Sequence, residues 1–455
     1  MKKLSFILII LTLTIIFSAC PPLLEDYVGG GSSGDILTLD DPDLIDPDKN
    51  DDENLKLDVY KWFKILDKIA KDGKYVSLDL SKGICDSNNP GGGLVEVTVK
   101  DGPGPDDSVT YIAFDPFPAS SSGKNFIVSI TLPTIAKMIK RADDNEAVDE
   151  DNLKETKIFS AFRSFTNLRS VTAENVTIIG NLAFADCTAL TEVVFPKVGH
   201  TVTDAELSAS AIPMSNNRRD IGKYAFLGCT GLKEVKFNSA AVIGGYAFKD
   251  CTSLSKIDFP EVWRIEENAF EGCTSLANVF FEKASKIGDE AFKNCTGLKK
   301  AEFNVNPERF TTTPPISLSP IIPDEEPVFD SVIFYPSAFT GCKALELLKV
   351  LRAWNVYFSK DVFANTGTAI EIYLFDEPTP ASPPPPPPPP ITFCVGHPQN
   401  AKILGDGTAI TLKRVEFYVP TDGEQVWQNT SPASVQVFTQ ASYPNVAVNI
   451  NRKNP

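Results

Sequence analysis

Ile221-Gly222-Lys223-Tyr224-Ala225-Phe226-Leu227-Gly228-Cys229-Thr230-Gly231-Leu232-Lys233-Glu234-Val235-Lys236-Phe237 is one copy of a pattern that returns at Ile243, Ile265 and Ile287, a period of 22 residues. Every copy reads Ile-x-x-x-Ala-Phe-x-x-Cys-Thr-x-Leu-x-x-apolar-x-Phe, with Gly second in three of the four. Self-similarity at a fixed short period is the signature of a solenoid. The closing Leu-x-x-apolar-x-Phe places alternate residues inward, as a strand with one buried face does. Glu266-Glu267-Asn268-Ala269-Phe270-Glu271 is compatible with a single helical turn. No copy can bury its apolar face alone, so the core arises by stacking. With coils about 4.8 Å apart, the strands line up as a parallel sheet.

Other copies are less regular. Ala161-Phe162 with Leu168 is a degraded copy that has Phe165 in place of Cys, and 179–196 is a good one. Looser copies contain Ala338-Phe339 with Cys342, and Val362-Phe363. The expected solenoid therefore spans 154–375, with insertions near 199–220 and 305–331. Insertions in solenoids map to loops on one side. An acidic linker, 143–153, precedes it. Residues 55–142 show helical spacing from Leu55 to Lys71 and alternating stretches at 75–80 and 126–132. They read as a divergent first part of the array that caps it, with an independent small domain as the alternative. Eight consecutive prolines, 383–390, make 376–392 a stiff spacer. Residues 393–455 read as a repeat-like cap and a polar, Asn-rich tail whose end is expected to fray.

The spacing Ile-Gly-x-x-Ala-Phe-x-x-Cys-Thr-x-Leu-x-x-Val-x-Phe resembles the BspA-like leucine-rich repeats of bacterial surface proteins. The resemblance is specific from about Ile158 to Leu374. It implies a right-handed leucine-rich repeat solenoid, an α/β repeat of short parallel strands and short helical turns. It also implies display at the cell surface and adhesion to host proteins or to other bacteria.

The N-terminus fits display. Lys2-Lys3 precedes an apolar run, Leu4 to Phe17, too short for a confident membrane span and ending at Ser18-Ala19-Cys20. This resembles a bacterial lipobox, with Phe17 where Leu is usual. Residues 1–19 are thus expected to be a lipoprotein-type signal peptide and Cys20 the lipidated residue; a conventionally cleaved or uncleaved signal is the alternative. Residues 20–54, Gly-rich and then acidic, read as a disordered tether from that anchor or as a plain linker. The chain's net charge of −16 is local to two stretches. Eleven acids against one lysine lie between Glu25 and Glu53, and six acids without a base between Asp143 and Asp151. The remainder is close to neutral and has no basic face for nucleic acid.

Six cysteines, Cys187, Cys229, Cys251, Cys273, Cys295 and Cys342, share one repeat position. Equivalent side chains one coil apart are parallel, whereas a disulfide needs Cβ atoms that converge to about 3.8 Å. They read as buried free thiols; Cys85 and Cys394 stay open. No Cys-x-x-Cys or Cys/His pairing suggests a metal, and no cofactor motif occurs. The only histidines, His200 and His397, fall in expected loops, so an enzyme, such as a hydrolase built on 55–142, ranks below a binding protein. The expected function is non-catalytic binding of a host extracellular or bacterial surface protein, by an exported, membrane-anchored chain. The alternative is an envelope-organising protein that binds components of its own cell. Outward positions vary from copy to copy while inward ones do not. The candidate partner face is Lys233, Lys236, Lys256, Asp258, Trp263, Asn278, Phe280 and Lys300. Phe280 and Trp263 would be aromatic anchors for a partner or simply cover the edge of the core.

Overall fold

The computed structural model describes residues 35–85, 93–100, 108–115, 122–139, 162–199, 220–304, 331–351, 355–358, 361–366, 370–374, 394–395, 412–420 and 447–453. The expected signal peptide, Cys20, the acidic linker, most of both insertions and the proline tract lie outside them.

Each copy of the pattern closes one coil of a leucine-rich repeat solenoid. Its Leu-x-x-apolar-x-Phe end supplies a strand to a first sheet, all parallel, in three hydrogen-bonded blocks that adjoin in chain order. Ile36–Thr38, Val76–Asp79, Ile127–Thr131, Ser170–Thr172 and Glu192–Val194 make the first block, and Glu234–Lys236 with Lys256–Asp258 the second. The third runs from Asn278–Phe281 through Lys300–Asn304, Leu347–Leu351, Ile370–Leu374 and Leu412–Pro420 to Ala447–Lys453. The opening Ile of each copy supplies the second sheet: Val242–Ile243, Arg264–Ile265, Lys286–Ile287, Ser331–Phe334 and Asn355–Phe358 pair in parallel. Ile221 bridges Ile179 to Ile243.

Between the sheets the sixth residue of each copy builds a column of stacked rings. Phe184–Phe226, Phe226–Phe248, Phe248–Phe270 and Phe270–Phe292 have centroids 5.3, 5.2, 5.3 and 5.2 Å apart. Beside each ring runs a backbone ladder. Phe226 N–H donates to Ala247 O (2.7 Å), Phe248 to Ala269 (2.8 Å) and Phe270 to Ala291 (2.8 Å). The alanine before each Phe thus keeps coils close enough to bond. Both ladders pass the expected insertions unbroken: Phe184 donates to Ala225, and Phe292 to Ala338 while stacking on Phe339 at 5.5 Å.

The helical turn expected in each coil does not form. In the coil from Ile265, Asn268 (φ +53°) and Gly272 (φ +74°) are left-handed, as are Tyr224 and Gly228, Tyr246 and Asp250, and Glu290 and Asn294. A right-handed helix cannot continue through such residues. Consecutive β-turns replace it, with Glu271 N–H on Asn268 O (3.0 Å) and Cys273 N–H on Phe270 O (3.2 Å).

The six repeat cysteines are buried free thiols. Each Sγ donates to the Phe carbonyl of the coil before it: Cys229 to Phe184 (3.1 Å), Cys251 to Phe226 (3.2 Å), Cys273 to Phe248 (3.1 Å) and Cys295 to Phe270 (3.0 Å). The position is thus more than small and apolar, because a thiol hydrogen bond ties each coil to its predecessor. Burial pushes the Cys187 thiol up to about 12 and raises those of Cys229, Cys251, Cys273 and Cys295.

At the N-terminal end the helix Val59–Asp72 closes the column, with Trp62 edge-on to Phe114 at 5.9 Å. Trp62, Ile65, Leu66 and Ile69 make its buried stripe. Asp58 caps it by accepting from Lys61 N–H at 2.7 Å, and Gly73 ends it in the left-handed conformation. Asp58→Ala is expected to cost about 1 kcal/mol locally. Faster hydrogen exchange confined to the helix amides is the readout; unchanged protection would show the cap to be dispensable.

Two expectations are corrected by these ends. The disordered tether assigned to 20–54 does not extend through 35–54. Ile36–Thr38 pairs with Val76–Asp79, Asp51–Leu55 is helical, and Leu37, Leu39 and Leu44 are buried. Net charge over the window masked these leucines, while acids such as Asp40, Asp41 and Asp43 occupy the turns beside them. Asp43 meets Lys68 at 2.6 Å and Asp40 meets Lys82 at 3.0 Å. Hydrogen bonds from Thr38 and then Lys82 bring the Asp40 carboxyl down to about 2. At the other end Ala447–Lys453, inside the tail expected to fray, pairs in parallel with Leu412–Pro420. Ala447-Val448-Asn449-Ile450-Asn451 alternates as a strand does beneath its Asn-rich composition.

Candidate binding face

A strand's alternation sends every second residue of the first sheet to the outside. Register within each block, and equivalent place in the repeat between blocks, put those residues into two outward rows. One contains Glu192, Glu234, Lys256, Asn278 and Lys300; the other contains Val194, Lys236, Asp258, Phe280 and Glu302. Glu234↔Lys256 and Lys236↔Asp258 are direct register partners, as are Asn278↔Lys300 and Phe280↔Glu302.

Most charges on this face are already matched. Lys236 Nζ lies 2.8 Å from Asp258 Oδ2, Lys256 pairs with Glu234, and Lys300 Nζ lies 2.8 Å from Glu302 Oε2. The Lys236 ammonium is stabilised by the hydrogen bond to Asp258, which raises its pKa. Exposed pairs of this kind contribute little to stability, but they leave a face without a strong field. Lys233 stands just ahead of its strand, exposed, and its carbonyl accepts from Ser255 N–H at 3.0 Å.

What stands out is apolar. Phe280 is 47% exposed and Val194 is 42% exposed, in the same outward row. Phe281, its neighbour in sequence, is fully buried, so the Phe280-Phe281 pair divides cleanly between solvent and core. Val194 was not among the residues expected at the face. Its place in the copy, equivalent to Lys236, Asp258 and Phe280, was the signal that could have found it.

Trp263 does not join this row. It stands half-buried just ahead of the second-sheet strand Arg264–Ile265, where its carbonyl accepts from Ser285 N–H (2.9 Å) and Lys286 N–H (3.1 Å) and its ring lies 5.6 Å from the Arg264 guanidinium. Among the described residues the second sheet offers no comparable open row. Ile243, Ile265 and Ile287 face the core, yet their neighbours Val242 and Lys286 are also buried, as are Ile178, Asp220 and Ile333. The first sheet is therefore the accessible one. Lys236, Lys256, Asp258, Asn278, Phe280 and Lys300 share it, with Lys233 at its margin.

A family model described as the BspA type leucine rich repeat region, in six copies, matches residues 106–210 and 204–313. Among solved structures, a leucine-rich repeat protein from Bacteroides ovatus is 14% identical, with 74% of this chain and 89% of that chain covered and a TM-score of 0.27. A leucine rich cell surface protein from Faecalibacterium prausnitzii is 16% identical, with 72% and 79% covered and a TM-score of 0.30. A leucine rich repeat protein of T. pallidum is 19% identical, with 58% and 84% covered and a TM-score of 0.27. No curated protein matches the chain.

Proposed function

From the premise that over residues 106–313 this chain is a BspA type leucine-rich repeat protein, we propose that it is a non-catalytic surface protein that holds a protein partner on the outer face of its first sheet. The observation that carries this reading is Phe280, an aromatic ring half open to solvent on a rigid, hydrogen-bonded scaffold whose neighbouring charges cancel. A ring held in that way meets a partner with little loss of side-chain entropy, and aromatic residues dominate interface hot spots. The partner is an adhesion target, either a host extracellular protein or a surface protein of another bacterium. Cys20 carries the lipid that retains the chain at the cell surface. Among the described residues no helix is long and apolar enough to cross a membrane, and an anchor at Cys20 requires none.

The test is capture by the chain lacking residues 1–20, offered host extracellular proteins and, separately, the envelope proteins of the producing cell. Binding to the former supports adhesion; capture of the latter alone replaces it with an envelope-organising role. For whichever partner is captured, Phe280→Ala is expected to weaken binding by about 30-fold, the scale of a hot-spot residue. Trp263→Phe is expected to leave binding unchanged. Equal affinity for Phe280→Ala and the parent chain would remove this face from the mechanism. For the anchor, globomycin-sensitive processing and incorporation of labelled palmitate are expected, both lost in Cys20→Ala.

A further inference from the structure

The binding face leaves the cysteine ladder unused. Cys187, Cys229, Cys251, Cys273, Cys295 and Cys342 have no solvent exposure, and each thiol is engaged on a carbonyl of the coil before it. The thiolate is the form that attacks a disulfide, and burial disfavours it at Cys187, Cys229, Cys251, Cys273 and Cys295. A folded coil is thus closed to oxidation both by access and by charge.

An opened chain is the reverse. Its thiols titrate normally, and four of the six recur every 22 residues, a separation at which closing a flexible loop is inexpensive. A thiolate attacks a low-molecular-weight disulfide, forms a mixed disulfide and releases one small thiol. A second protein thiolate then displaces the other. Two protein thiols are oxidised to one disulfide, and one small disulfide is reduced to two thiols.

The product does not fit the solenoid. Stacked rings 5.2 to 5.3 Å apart set the coil spacing, so cysteines two or more coils apart exceed the roughly 7 Å Cα limit for a disulfide. Those on adjacent coils each donate to the carbonyl of a different Phe, so bonding them to one another removes both thiol donors. We propose that the ladder makes opening of this solenoid a one-way step in the presence of a small disulfide: intact coils exclude the oxidant, and opened coils are trapped by cross-linking.

The test incubates the full chain with glutathione disulfide over a series of urea concentrations and follows the ladder peptides by mass spectrometry. Ladder oxidation is expected to be negligible in the folded baseline and to rise with the unfolded fraction, by at least about 100-fold across the transition. Cys85, half-buried, serves as the internal control for reagent activity. In the second arm, unfolded chain is diluted to native conditions after exposure to glutathione disulfide, and dithiothreitol is then added. Loss of the native signal that the reductant restores supports the trap. A ladder oxidation rate independent of urea, or a cross-linked chain that regains the native signal, overturns it.

Discussion

Phe248→Ala is expected to lower the stability of the solenoid by about 3–5 kcal/mol, the range for removing a buried Phe without replacing its volume. The ring is solvent-free and stacks on Phe226 at 5.2 Å and Phe270 at 5.3 Å, with Phe259 beside it at 5.9 Å. Its coil cannot slump into the space, because Phe248 N–H is bonded to Ala269 O and Cys273 Sγ to Phe248 O. Stability in a repeat array is close to a sum of coil and nearest-neighbour interface contributions, and this one side chain serves two interfaces. Urea unfolding of the variant should therefore lose cooperativity as well as midpoint, with coils on the two sides of 248 melting apart. A loss below about 1 kcal/mol would mean that the ladder hydrogen bonds, rather than the rings, set the stability.

Gly272→Asp is expected to destabilise by about 1–3 kcal/mol, the usual cost of overpacking, although aspartate tolerates the left-handed conformation required there. The reason lies in the neighbouring coil. The residue before each ladder cysteine alternates Asp186, Gly228, Asp250, Gly272, Asn294, Gly341, and all six are left-handed. The side chain of each Asp or Asn lies over the glycine of the next coil. A Cβ on Gly272 would be 2.4 Å from Asp250 Oδ1, and one on Gly341 2.4 Å from Asn294 Oδ1. Two successive coils therefore cannot both carry a side chain at this position in that arrangement. Adding Asp250→Gly alone should rescue little, since the introduced carboxylate would then press on Asn294. The triple variant Asp250→Gly, Gly272→Asp, Asn294→Gly leaves no two successive coils with a side chain at this position and is expected to regain most of the lost stability by thermal melting. If the single variant melts with the parent, or the triple no higher than the single, the rule is wrong.

The alternation shows how far a sequence can be read. Gly, Asp and Asn ahead of each cysteine are visible in the repeat, and these are the residues that enter the left-handed conformation at least cost. The same conformation at Leu182, Tyr224 and Tyr246 had no such sign, because bulky residues seldom adopt it. The expected helical turn failed for that reason: Ala269-Phe270-Glu271 favours a helix, but the flanking left-handed residues exclude one. The tether over 35–54 failed differently. Its charge was counted as a property of the segment, when Leu37, Leu39 and Leu44 had a neighbouring coil to bury them.

The 22-residue period determined by itself that coils stack, which residues face inward and that equivalent cysteines stay unpaired, since each follows from repetition alone. Only the tertiary structure decided which outward residues remain available. Lys236 and Asp258 are one coil apart, and only the register that stacks them lets their charges cancel. Phe280 and Trp263 look alike in sequence, but Phe280 stands on the open face of the first sheet while Trp263 is half-buried ahead of a strand of the second. Exposure depends on what the next coil and the opposite sheet bring alongside, and no single copy of the repeat contains that information.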